Sequence, residues 1–131
     1  MKFQPERFGF AITGYGPGWI AIGAERVPHS VVLDSRGERT DWRCTRFDDL
    51  TAAHFAPLAE SRPELVVFGS GNALRFPKPQ WVRGLVEAGI GVETMDTAAA
   101  CRTYNILASE GRRVVAALLV EAGEKTPDAL K

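Results

Sequence analysis

Between residues 93 and 105 the chain reads ETMDTAAACRTYN, which sets a carboxylate, hydroxyls, a thiol, a guanidinium, a phenol and an amide around three alanines. Cys101 or Asp96 could do chemistry there, and Arg102 could hold a carboxylate or a phosphate. The same residues also sort into a helix without any chemistry. Asp96 or Thr97 can accept hydrogen bonds from the first free amides of a helix, and an acid there complements its dipole. Ala98, Ala99 and Ala100 favour helix and permit close approach to a strand or another chain. Ala100, Tyr104 and Leu107 fall on one face, assigned to the core, while Arg102, Asn105 and Ser109 fall on a neighbouring polar face. The amino end of a helix and Arg102 could both lower the Cys101 thiol pKa, but no histidine is near in sequence, so a buried spacer is the first reading. Arg102 is expected to pair internally with Glu110 or Asp96, with an anion as the alternative.

A second stretch, Gly69, Ser70, Gly71 and Asn72, follows an apolar run. Glycines there let backbone approach a ligand, and free amides can hold an anion. A dinucleotide fingerprint needs a third glycine opening the helix, but Leu74 stands in that position, and the lysine-serine/threonine ending of a P-loop is missing. A tight turn is therefore the first reading. Met95, Asp96 and Thr97 lie in the other comparable loop. Both loops open at the carboxyl ends of strands, where open α/β sheets place ligands, and they are expected to face one crevice. His29 and His54 are isolated, and no His-x-x-x-His, Cys-x-x-Cys or acid cluster is present, so neither a metal nor a cofactor is expected. Ser70 sits between glycines but lacks the outer residues of a Gly-x-Ser-x-Gly elbow.

The elements that must position these groups follow from periodicity. Residues 8–13 and 18–25 read as strands around the turn chemistry of GYGPG, and residues 30–34 and 39–44 as a second hairpin, with Asp34 and Asp48 in turns or caps. Residues 51–61 read as a helix capped by Thr51, shortened or kinked by Pro57, with Phe55, Leu58 and Ala59 inward. Strand, helix, strand, helix and strand then follow. The first helix carries Trp81, Val82, Leu85 and Val86 on one face, and the second closes at Gly111. This order predicts a single α/β domain over residues 1–131, with its ordered core at about 8–121, a fraying tail and parallel strands joined by right-handed crossovers. Cys101 and Tyr104 are expected to be buried, and the polar groups of residues 93–105 to be satisfied by backbone or one another.

The chain has 131 residues, 45% of them hydrophobic and 24% charged, which suits one globular core. Lysine plus arginine equals aspartate plus glutamate at 16 each, so no general attraction to nucleic acid or anionic membrane is expected. No apolar run reaches membrane-spanning length, and the first residues look like neither a secretory signal nor a transit peptide. The expected location is the cytoplasm, with Cys44 and Cys101 as free thiols.

The motifs YGPGWIAIG, VVFGSGN and above all GIGVETMDTAAACRTYNILASEGRRVVAALL resemble the Mth-type domain family, a domain of unknown function that includes an assembly factor of mitochondrial respiratory complex I. The likeness runs roughly from residue 8 to residue 120. It implies a three-layer α/β domain with a mixed central sheet and no established enzyme chemistry. It also implies a non-enzymatic protein-interaction module whose partner would be a membrane-complex subunit or another assembly factor, without membrane insertion. One alternative is a small-molecule or anion-binding protein, or an enzyme, using the crevice between residues 69–72 and 95–105. Another is a homo-oligomeric scaffold built on the alanine-rich helix.

Overall fold

The structure, a computed structural model, describes residues 11–121. The expected strand residues 8–10 and the tail from residue 122 lie outside the described residues. Strands β1 (Ile12–Gly16), β2 (Trp19–Ile22) and β3 (Glu25–Val27) form an antiparallel meander. The single strand predicted over residues 18–25 is in fact two. The chain reverses at Gly23 and Ala24, where the Gly23 N–H donates to the Ala11 carbonyl at 3.0 Å. The first turn is also tighter than GYGPG suggests, because Gly14 and Gly16 are within β1.

Strands β4 (Val31–Asp34) and β5 (Glu38–Asp41) form the expected second hairpin. The Asp34 carboxylate accepts the Arg36 N–H at 2.9 Å across its turn. β5 stops short of the predicted Cys44, because Trp42 turns into the core and its indole N–H donates to the His54 carbonyl at 3.0 Å. Helix α1 (Ala52–Phe55) is a single turn that passes into the 3-10 turn Ala56–Ala59. Pro57, with no N–H to extend an α-helical ladder, accounts for the shortening.

Strand β6 (Leu65–Gly69), helix α2 (Pro79–Glu87), strand β7 (Gly91–Met95), helix α3 (Thr97–Ser109) and strand β8 (Val114–Leu118) complete the run. β6 pairs in parallel with both β7 and β8, and β8 pairs antiparallel with β4, giving one mixed five-stranded sheet in the order β5-β4-β8-β6-β7. α3 ends as predicted, with Gly111 at φ 84.

The two-residue period of the strands splits the sheet between two cores. Leu33, Val67, Ala116 and Leu118 face α3 and the meander, joining Ile20, Cys101 and Tyr104. Val66, Phe68, Val115 and Ala117 face α1 and α2, joining Trp42, Phe55, Trp81 and Leu85. On this second side Phe55 lies 5.2 Å from Phe68 and 5.6 Å from Trp42, both edge-to-face. These are the three layers. Cys44 and Cys101 belong to opposite cores, and both are free. Val86 departs from expectation, since it is 63% exposed. α2 lies over β7, the edge strand, so the flank of the helix overhangs the sheet and only Trp81 and Leu85 are fully covered.

Candidate functional site

The loops after β6 and β7 meet, as their strand positions require. The Gly71 N–H donates to Thr97 Oγ1 at 2.9 Å, the Thr97 N–H donates back to the Gly71 carbonyl at 2.9 Å, and Thr97 Oγ1 donates to the Leu119 carbonyl at 2.6 Å. One buried hydroxyl thereby ties three segments of chain together. Ser70 is also buried. Its hydroxyl accepts the Arg75 N–H at 2.9 Å and donates to the Ala73 carbonyl at 2.7 Å, with the Met95 carbonyl at 3.2 Å. A side chain at Gly69 would press on the Thr97 backbone at 3.0 Å and on Ala100 Cβ at 3.1 Å. Gly69 and Ala100 are therefore what let α3 settle onto β6. Gly71 has φ +104, and a Cβ there would collide with the Glu121 carboxylate.

Asp96 is the N-cap of α3, its carboxylate accepting the Ala99 N–H at 2.8 Å. Glu121 accepts the Asn72 N–H at 2.9 Å and pairs with both terminal nitrogens of Arg75, at 2.8 and 3.2 Å. Burial alone would raise the Glu121 carboxyl pKa, but the bonds from Arg75 and Asn72 outweigh it and hold the pKa below its ordinary value.

The hairpin turn between β1 and β2 overhangs this junction. Between them lies a cleft of about 360 Å³, lined by Tyr15, Trp19, Asn72, Asp96, Thr97 and Glu121 among others. Of the residues singled out in sequence, Gly71, Asn72, Asp96 and Thr97 line this cleft, whereas Gly69, Ser70, Met95, Cys101, Arg102 and Asn105 do not. Arg102 pairs with neither Glu110 nor Asp96. It reaches across to β1, donating to the Tyr15 hydroxyl at 2.6 Å. Asn105 clasps the same strand, accepting the Ile12 N–H at 3.0 Å and donating to the Ile12 carbonyl at 2.6 Å. Both side chains fasten the meander to α3.

Cys101 and Tyr104 are buried, as expected. Burial pushes the Cys101 thiol up to about 12, with Arg102 opposing only in part, so the thiolate needed for nucleophilic attack is scarce at neutral pH. Tyr104 Oη is buried without a hydrogen-bond partner among the described residues.

Sequence reasoning missed Tyr15, Arg75 and Glu121. The available signal was Glu121 itself, a lone acid closing the buried run over residues 114–120. No group of histidine, cysteine, aspartate or glutamate suited to a metal occurs among the described residues, and no described helix is long and apolar enough to cross a membrane.

Residues 12–119 match a family described as a protein of unknown function, DUF498/DUF598. An uncharacterised protein of Rhodobacter capsulatus is 40% identical, over 91% of this chain and 94% of its own. The NADH dehydrogenase [ubiquinone] 1 alpha subcomplex assembly factor 3 of Mus musculus is 39% identical over 88% of this chain. The chain spans only 58% of that mouse protein's length. Among solved structures, a Mth938-like domain from Bordetella pertussis superposes with a TM-score of 0.79 at 34% identity, covering 95% of this chain and 94% of its own.

Proposed function

Because the chain belongs to the DUF498/DUF598 family, we propose that it is a non-enzymatic protein-interaction module that assists assembly of a respiratory NADH:ubiquinone oxidoreductase. The observation that carries this reading is the 39% identity to the mouse assembly factor, which extends over 88% of this chain. The junction supports it. Ser70, Asp96 and Thr97 bond to backbone, and Cys101 is buried and held protonated, so the groups best suited to chemistry are engaged in holding the fold. The whole chain works as one unit in the cytoplasm, meeting a membrane-complex subunit or a fellow assembly factor without inserting into the bilayer.

The test is deletion of the gene in the organism that encodes it, followed by native electrophoresis of solubilised membranes. Depletion of the complete oxidoreductase with accumulation of subassemblies, reversed by the wild-type gene, is the expected result. An unchanged level of complete, active complex would overturn the reading.

The cleft under the β1–β2 turn favours a second reading, a small ligand. Asp96 and Glu121 line it and Arg102 does not, so a neutral or cationic ligand suits it better than an anion. A thermal-shift screen separates the two readings, because a ligand selective for the folded state raises its stability.

A further inference from the structure

β7 is the last strand of the five-stranded sheet, and its outer edge is open. The Gly91 N–H donates to the Glu64 carbonyl, and the Met95 carbonyl accepts the Ser70 N–H. In a parallel ladder each residue turns its N–H and C=O to the same side, and successive residues alternate. Gly91, Glu93 and Met95 therefore bond inward to β6, and Val92 and Thr94 aim N–H and C=O outward. Among the described residues no partner meets these four groups.

The side chains of Val92 and Thr94 are in register with Val66 and Phe68, on the α2 side of the sheet. There they form the floor of a shallow groove of about 570 Å³, walled by Phe76, Val82, Val86 and Ile90, with no charged residue in its lining. Phe76 is 69% and Val86 63% exposed, which is unusual for large apolar side chains lining one groove. Glu93 points to the opposite face, is exposed, and has no ion-pair partner among the described residues.

We propose that β7 is a docking edge for an extended segment of a partner protein, which adds antiparallel as a sixth strand, places two apolar side chains in the Phe76–Val86 groove and sets a lysine or arginine between them opposite Glu93. Strand addition of this kind draws affinity from the main chain and specificity from alternate side chains. Charge selects the occupant. A second copy using both Val92 and Thr94 would place Glu93 directly against its own counterpart, at a position where no ladder bonds intervene and side chains are closest. Like charges there oppose self-pairing, and a basic residue is favoured instead. This surface deepens the interaction reading above and rests on it only for which protein supplies the segment.

The test uses the full chain and two capped synthetic peptides with the central alternation valine-lysine-isoleucine or valine-glutamate-isoleucine, followed by amide NMR. The lysine peptide is expected to give saturable shifts at Val92 and Thr94 and to bind about three- to tenfold more tightly than the glutamate peptide. Glu93→Lys should reverse that preference, and Phe76→Ser should weaken both peptides while leaving the preference intact. Both residues are exposed, so both variants are expected to retain the wild-type spectrum elsewhere.

Absence of saturable shifts at Val92 and Thr94 with either peptide would overturn the proposal. So would a preference that ignores residue 93, or a concentration-dependent dimer that protects those amides without peptide. The gene deletion reads separately: a peptide-binding edge with intact oxidoreductase assembly sinks only the assembly role, and impaired assembly fully rescued by Glu93→Lys sinks only the edge.

Discussion

β7 serves two regions that use polar atoms in opposite ways. At its carboxyl end, Met95 leads into a junction where the Ser70, Asp96, Thr97 and Glu121 side chains all hydrogen-bond to main chain. Along its outer side, the Val92 and Thr94 backbone groups are open and the adjoining side chains are apolar. The junction holds the suggestive residue types, but its groups are committed to closing the fold. The edge holds ordinary residues, and its groups remain available to another chain. Availability of a polar group, more than its chemical type, decides whether it can pair with another chain.

Measurements that probe this contrast run from large effects to small. Cys101, behind the junction, should react with a thiol reagent at pH 8 about a thousandfold more slowly than an exposed thiol, because burial lifts its pKa to about 12. Labelling of the native protein at the rate of an exposed thiol would show that this side of the molecule is open. Thr97→Val removes a hydroxyl that bridges two buried backbone groups and should cost about 2–4 kcal/mol in urea unfolding. A loss below the single-bond range would mean that water replaces it.

Glu121→Gln should cost about 1–2 kcal/mol at pH 7, the Arg75 pair being partly exposed. Since the folded Glu121 pKa lies below its ordinary value of 4.5, its contribution is complete above that value and disappears as pH falls through the folded pKa. The wild-type and variant unfolding curves should therefore converge in acid, and a gap that persists there would refute the pairing argument. Asp96→Ala, which removes the α3 cap, should cost about 1 kcal/mol by the same assay. At the edge, Phe76→Ser should change stability by less than about 0.5 kcal/mol, since the ring is mostly in solvent. A larger loss would make Phe76 part of the core and narrow the contrast.

Much of this arrangement was legible in the residues. The strand-helix alternation, a cap at Asp96 or Thr97, the Gly111 stop and the buried stripe through Ala100 and Tyr104 all follow from contacts within a turn or two of chain, which periodicity records directly; the structure chose Asp96 as the cap. That the glycine loop and the Asp96 loop would lie at the same end of the sheet also followed, because parallel strands bring their carboxyl ends to one edge, but their direct bonding to each other did not. The third strand of the meander was less visible, since it is only Glu25–Val27 and two of its three residues are charged and exposed, which leaves no apolar period to mark it. Val86 was misplaced because a helical stripe gives an angular position but not how far the underlying sheet extends.

The sequence by itself determined the order of most helices and strands, the two ends of α3 and most of the faces that turn inward, because these depend on local backbone preference and on the spacing of apolar side chains. Only the tertiary structure decided that β8 lies between β4 and β6, that Arg102 meets Tyr15 from 87 residues away, that Glu121 closes the glycine loop and that β7 is left at the edge. Those outcomes depend on which distant segments come together, and a one-dimensional pattern of polarity does not encode that pairing.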